Sequence, residues 1–239
     1  MRRVLVTGGG TGIGRAIAHA FLAQGDDVTI AGRRLEPLNE AAGDSAIHVK
    51  QADVTDETQV AALFDAPFDV VVANAGAGTA AKLVDTSLAD WQATLDVNLT
   101  GVFLTFREAL RGMTAGGRLI AIASTASLQG GSNICAYSAS KHGVLGLVRS
   151  AAIEVAKSGI TCNAICPGFV DTEMADNAAA NVMKKFDVTH EKAMKMITAN
   201  NPMARLISPE EVAASAVFLA SAGASSINGH ALSVSGGEI

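Results

Sequence analysis

The 239-residue chain contains one tyrosine, one tryptophan, three cysteines and five prolines, and Asp, Glu, Lys and Arg together make up 17% of it. Each scarcity closes off a class of protein. Cys135, Cys162 and Cys166 are odd in number and lack zinc-finger spacing, which argues against a disulfide framework or a metal site. Cys162 and Cys166 share one face of an expected strand, as small core residues do. A Pro-rich or Ser-rich linker is missing and no internal repeat is found, so a single domain spanning 1–239 is expected. There is no apolar run of eighteen residues for a membrane helix. The basic start Met1-Arg2-Arg3 is followed by glycines at 8, 9, 10, 12 and 14, which interrupt any signal-peptide core, so a cytoplasmic protein is expected. A net charge of -5 argues against a nucleic-acid binder that relies on bulk positive charge. The apolar share of 49% is ample for a core, and the expected partner is a small molecule.

What is present is an alternation of β-branched apolar runs with helical patterns. Strands are expected near 3–7, 27–31, 46–50, 68–73, 117–122, 160–166 and 231–234, with helices between them. Near-continuous apolar strands, such as the one ending Val70-Val71-Val72-Ala73, require burial on both faces. The expectation is an α/β, Rossmann-like, doubly wound fold with a seven-stranded parallel sheet and helices on both faces. The segment 171–204 exceeds an ordinary connection and is expected to be partly helical and to act as a lid. Helical patterns over 98–113 (Leu99, Val102, Phe103, Leu104, Phe106, Ala109, Leu110) and 136–156 (Val144, Leu145, Leu147, Val148, Ala151, Ala152, Val155) are apolar on more than one side. A deeper core or a second subunit would cover the extra side; the second subunit is preferred.

The first strand runs into Thr7-Gly8-Gly9-Gly10-Thr11-Gly12-Ile13-Gly14 and then a helix expected over Arg15–Gln24. Such a turn lets backbone approach a pyrophosphate, whose charge suits the free amides of a helix N-terminus. A triphosphatase loop is disfavoured because Arg15-Ala16 stand where Lys and Ser or Thr are needed. Gly130-Gly131-Ser132-Asn133-Ile134 likewise lacks the last glycine of a hydrolase nucleophile elbow. At the end of the second strand, Gly32 occupies the place where an NAD binder supplies a carboxylate, and Arg33 follows. An arginine there suits a ribose 2′-phosphate, so NADP(H) is preferred, with NAD(H) second.

The sole tyrosine, Tyr137, precedes Lys141 by four residues, which places phenol and ammonium on one helix face. A phenol ordinarily titrates near ~10, and an ammonium at ~4 Å would be expected to lower that toward neutrality. Proton exchange with an alcohol or carbonyl oxygen is the chemistry this pair suits.

With the glycine turn, Asp53-Val54, Asn74-Ala75-Gly76, Asn98, Ser124, Tyr137-x-x-x-Lys141 and Pro167-Gly168 in order, the chain resembles the classical short-chain dehydrogenase/reductase family over nearly its full length. The resemblance implies that Tyr137 is the general acid in ketone reduction and the base in reverse, and that Lys141 lowers its pKa and binds the nicotinamide ribose. Ser124, thirteen residues before Tyr137, would hold the substrate oxygen. Asn98 would support a water-linked proton path; otherwise Ser124 and Asn98 are caps. The turn Gly8, Gly10, Thr11, Gly12, Ile13 and Gly14 would take the pyrophosphate, although a basic residue common in NADP binders is replaced by Thr11. Asp53 and Val54 would flank the adenine unless Asp53 only caps a turn. Asn74, Ala75 and Gly76 would line the adenine ribose, and Pro167, Gly168, Val170 and Thr172 would meet the nicotinamide. No metal is expected. The pattern looks most like 3-oxoacyl thioester reductases and polyketide ketoreductases, with an acyl carrier protein or coenzyme A thioester as substrate. Lys184, Lys185, Lys192 and Lys195 on the lid are candidates for its phosphates. An alcohol, sugar or steroid dehydrogenase is the alternative, and a non-enzymatic NADP(H)-binding regulator a distant one. Family habit and the doubly apolar helices together imply a homotetramer.

Overall fold

The computed structural model describes every residue except Thr79. Its sheet comprises β1 (Arg3–Thr7), β2 (Asp27–Gly32), β3 (His48–Gln51), β4 (Val70–Ala73), β5 (Arg118–Ile122), β6 (Thr161–Pro167) and β7 (Ala231–Val234). All neighbours are parallel, in the order β3-β2-β1-β4-β5-β6-β7. This is the expected doubly wound fold. The strand bounds match the sequence reading closely, β3 and β4 each starting two residues later than expected.

Every position of β4, β5 and β6 is buried, because helices cover both faces. Side chains alternate between two cores. Leu5, Val71, Leu119 and Cys162 face Val102, Phe106, Val144 and Val148 on one side. Val4, Val72, Ile120 and Ile165 face Ile17, Phe21, Val212 and Ala216 on the other. Each large side chain so enclosed contributes roughly 1.5–3 kcal/mol. Cys162 and Cys166 lie in the first core, where burial pushes their thiols up to about 12 and about 11. They are packing residues, as their spacing suggested.

The helices are α1 (Gly12–Ala23), α2 (Leu35–Ala42), α3 (Glu57–Leu63), α4 (Leu88–Leu95), α5 (Gly101–Gly112), α6 (Cys135–Val155), α7 (Glu173–Phe186), α8 (His190–Ile197) and α9 (Pro209–Leu219). A capping box starts α9: Ser208 accepts from the Glu211 amide, Glu211 accepts from the Ser208 amide, and Pro209 takes the first helical position. Helices α4 and α5 are joined by a π turn over Asp96–Thr100. The expected lid, 171–204, is mostly helical and consists of α7, α8 and their flanks.

The doubly apolar helices need correction. On α6, Val144, Leu145, Val148, Ala151, Ala152 and Val155 are all buried within the single chain, as are Val102, Leu104, Phe106 and Ala109 on α5. Most of that surplus surface therefore serves the internal core. The large apolar side chains still facing outward on these helices are Phe103, 43% exposed, and Ile153, 79% exposed.

No helix among the described residues is long and apolar enough to cross a membrane. Since β1 and β4 are neighbours whose following connections run to opposite sides, their carboxyl ends frame the crevice where α/β sheets bind ligands.

Candidate functional site

The glycine turn occupies one wall of that crevice. Gly8 and Gly12 have φ of +66° and +50°, the left-handed region that favours glycine. A Cβ on Gly14 would lie 2.3 Å from the Gly8 oxygen and 2.4 Å from Asn74 Nδ2, so α1 can start this close to β1 only without a side chain there. This contact also explains why the helix begins at Gly12 instead of Arg15. Thr11 is the N-cap residue but makes no side-chain capping bond, which leaves first-turn amides of α1 for an anion. Gly10 packs beside the Pro37 and Leu38 backbone, and Ile13 packs against the second core.

Asn74 has a structural role at the turn. Its Nδ2 donates to the carbonyls of Thr7 at 3.0 Å and Gly8 at 3.1 Å, while Thr7 Oγ1 accepts from the amides of Asn74 and Ala75. The Asn74 side chain thus pins the β4 loop to the glycine turn and presents no free amide to a ribose. Val170 is similar: its side chain is buried in the second core and its segment bridges to Ile207, so only its backbone can serve a ligand. Thr172 lies beside the glycine turn, its Cγ2 3.0 Å from the position of a Gly12 Cβ.

At the far end of the crevice a pocket of about 250 Å³ is lined by Arg33, Gln51, Ala52, Asp53 and Gln59. Arg33 is exposed, with its backbone carbonyl accepting from Gln51 Nε2. The Asp53 carboxylate accepts from the amide and hydroxyl of Thr55, which is the turn-capping alternative. Val54 is buried against Val60 and Leu104, so its side chain is core. A larger cavity, about 410 Å³, lies by Met1, Asp27 and His48 at the amino ends of the strands, away from all these groups. A glycine turn in the left-handed region, helix amides without a side-chain cap and an arginine-lined pocket together fit a nicotinamide dinucleotide.

The proposed catalytic residues converge beside the glycine turn. Ser124 ends β5 as the cap of a short 3-10 turn, Thr125–Ser127, its Oγ accepting from the Ala126 amide. It also lies close enough to the Tyr137 side chain to lower the pKa of the phenol. Capping and contact with the phenol are thus simultaneous properties of one serine. Tyr137 sits in the first turn of α6, its ring edge 3.8 Å from the position of a Gly78 Cβ, with Met174 Sδ alongside.

Lys141 lies on the same face as Tyr137, with its ammonium bound to the backbone of β5. Its Nζ donates to the Ile122 carbonyl at 2.8 Å and stands 5.8 Å from the Tyr137 ring centroid. Burial brings its pKa down to about 8. Burial also raises the Tyr137 pKa above its ordinary value, against a smaller lowering by the Ser124 hydrogen bond. In the cofactor-free chain, desolvation therefore outweighs the lowering by Ser124.

Asn98 is fully buried inside the π turn, not a cap at a helix end. Its Oδ1 accepts from the Ala77 amide at 2.9 Å, and its Nδ2 donates to the Ala77 carbonyl at 2.8 Å and to Ser140 Oγ at 3.2 Å. Gly76 fits between this amide and the lysine, since a Cβ there would lie 3.0 Å from Asn98 Oδ1 and 3.6 Å from Lys141 Nζ. Pro167 closes β6 and Gly168 donates its amide to Val234.

Sequence reasoning passed over Ser140 and Thr7. Ser140 links Asn98 to the Tyr137 carbonyl, and its i+3 spacing from Tyr137 was the available signal. Cys166 lies close enough to Lys141 and the Ser124 backbone to feel both.

A family model described as Enoyl-(Acyl carrier protein) reductase matches residues 8–238. The chain is 39% identical over 251 residues to a cis-4-hydroxycyclohexanecarboxylate dehydrogenase of Sinomonas cyclohexanicum, covering 99% of this chain and 96% of that protein. It is 36% identical over 251 residues to a 3-oxoacyl-[acyl-carrier-protein] reductase of Synechocystis sp., covering 98% and 96%. A crystal structure of an actinorhodin polyketide ketoreductase variant with NADPH superposes with a TM-score of 0.94 at 34% identity, covering 99% and 97%.

Proposed function

The chain belongs to the short-chain dehydrogenase/reductase family, and from that premise we propose that it is an NADP(H)-dependent reductase of 3-oxoacyl thioesters carried on acyl carrier protein or coenzyme A. The observation that carries this reading is the placement of Ser124, Tyr137 and Lys141 together at the carboxyl edge of the sheet, beside the glycine turn and Gly76. A hydroxyl and a phenol side by side can bind a carbonyl oxygen and exchange a proton with it.

The glycine turn with Gly8, Gly12 and Gly14, the first amides of α1, Arg33 and the loop around Gly168 would hold the cofactor. When bound, NADPH supplies a hydride to the carbonyl carbon. Ser124 and Tyr137 offer hydroxyl hydrogens to the carbonyl oxygen as it gains charge. Tyr137 then transfers its proton to that oxygen. Lys141, charged at neutral pH, stands 5.8 Å from the ring. A cation on this side of the ring favours the phenolate that remains. Asn98 fixes the Ala77 peptide and, through Ser140, the start of α6.

Helices α7 and α8 serve as the lid. Lys195 is paired with Glu191 and Lys185 lies over the Phe186 ring, which leaves Lys184 and Lys192 as the better candidates for thioester-carrier phosphates. A homotetramer is the proposed assembly, supported by the outward Phe103, Ile153 and Phe218 and measurable by light scattering.

The test compares kcat/KM for acetoacetyl-CoA, simple ketones, sugars and steroids with NADPH and with NADH. Preference for the thioester with NADPH is expected. Activity confined to sugars, steroids or simple alcohols would replace this reading by the broader dehydrogenase one, and cofactor binding without any turnover would indicate a regulator.

A further inference from the structure

Two residues outside the machinery above meet at the rim of the crevice. Gln129 follows Ser124 by five residues, beyond the turn Thr125–Ser127, and its Nε2 donates to Glu238 Oε1 at 3.2 Å across 109 positions of chain. The other carboxylate oxygen, Oε2, lies 3.1 Å from the position a Cβ would take on Gly168. Gly168 follows β6, whose penultimate residue Cys166 feels both Lys141 and the Ser124 backbone. Glu238 therefore stands between the loop after β5 and the loop after β6, at the same carboxyl edge of the sheet that displays Ser124.

The carboxylate has no cation to neutralise it. Among the described residues no Lys, Arg or His lies within ion-pair distance of it, and its hydrogen-bond partner is a neutral amide. Burial accordingly raises its pKa, with the Gln129 bond opposing that rise. The Lys141 ammonium is committed to the Ile122 carbonyl and buried beneath the site. Beyond Ser124 and Tyr137, Phe169 and Met174 offer half-exposed apolar surface. A ketone entering here meets hydroxyls at its oxygen, apolar walls along its body and an unpaired negative charge at the rim.

We infer that Glu238, positioned by Gln129, is a specificity residue that turns away ketones bearing a free carboxylate and favours neutral acyl derivatives such as thioesters and esters. The inference deepens the proposed function and rests on its carbonyl-reducing site. Relatives of comparable identity bear names of both kinds, a carboxylate dehydrogenase and a thioester reductase, so a residue that separates the two classes decides the substrate. A substrate carboxylate brought within about 7 Å of Glu238 would, at an effective dielectric near 20, be repelled enough to shift relative rates by tens of fold.

The experiment measures kcat/KM with NADPH for two matched pairs, acetoacetate with methyl acetoacetate and 4-oxocyclohexanecarboxylate with its methyl ester. The full chain is compared with Glu238→Gln and Glu238→Lys. The acid-to-ester ratio is expected to rise at least about tenfold in the glutamine variant and further in the lysine variant. A structural role alone would lower both members of a pair together and leave the ratio in place. A ratio within threefold of the wild type in both variants overturns the inference, as does a wild-type preference for the acids. If acetoacetyl-CoA is not reduced but the cyclohexane pair responds as expected, the thioester reading falls and the charge filter stands. Turnover of acetoacetyl-CoA with an unmoved ratio removes the filter alone, and turnover of none of these ketones removes both.

Discussion

Lys141 Nζ donates to the Ile122 carbonyl at 2.8 Å, tying the second turn of α6 to the last residue of β5, two positions before Ser124. The ammonium is buried and its pKa falls to about 8, against ~10.4 in an unfolded chain. Between those values the unfolded state holds more protons, so this group makes stability rise with pH; below pH 8 both states are protonated and the burden of burial is felt in full.

Lys141→Met removes that dependence. The raised pKa values of Cys162 and Cys166 act the other way, reducing stability as pH rises past the ordinary thiol range; Cys162 is common to both proteins, and Cys166, no longer lowered by the ammonium in the variant, adds to the same difference. Thermal midpoints measured without cofactor should therefore give a wild-type minus variant difference that climbs from pH 8 to pH 10. A difference that stays level across this window would show that the ammonium is better solvated than the structure implies.

Tyr137→Phe should reduce turnover by roughly 10²–10⁴-fold. The Ser124 capping bond and the glycine turn do not involve the phenol, so NADPH affinity measured by fluorescence titration should stay within about threefold. Near-wild-type turnover would exclude Tyr137 as the proton donor.

Arg33→Ala should weaken NADPH binding by about 10–100-fold, the range for losing charge-assisted hydrogen bonds, and leave NADH nearly unaffected. Gly32→Asp is the complementary change. A Cβ there would meet Leu38 at 3.6 Å, ordinary contact, so the carboxylate is accommodated and should favour NADH. An unchanged NADPH-to-NADH ratio in both variants would move cofactor selection elsewhere.

Asn98→Ala leaves the amide and carbonyl of Ala77 without their side-chain partner. A destabilisation of about 2–3 kcal/mol follows, seen as a fall of roughly 5–10 °C in Tm. The same variant should lose turnover because Gly76 and Lys141 border this amide. A stable variant of full activity would contradict both roles.

Strands were legible because β-branched runs buried on both faces leave few alternatives, and β1 and β7 coincide with their expected bounds. The start of α1 was not, because glycine weakens helices locally and only the approach of Gly8 and Asn74 to Gly14 explains its presence there. The spacing of Tyr137 and Lys141 placed both on one face without revealing that the ammonium answers a backbone carbonyl of β5, which no side-chain pattern encodes. Asn74 was placed correctly along the chain, but the direction of its amide depends on the Thr7 and Gly8 carbonyls across the sheet. On α5 and α6, apolar faces were recognised while the depth of the core that covers them depends on packing between distant segments.

The wide turn over Asp96–Thr100 holds a surplus residue between two α-helical stretches. Removing one residue there would let α4 and α5 merge into an uninterrupted cylinder, a backbone of lower strain whose earlier half is rotated by about 100° against the later half. The architecture would survive such an excision, yet Asn98 would swing out of phase with the Ala77 peptide. A family scaffold can thus be kept while its chemistry is lost through a single-codon deletion well upstream of the tyrosine in the chain.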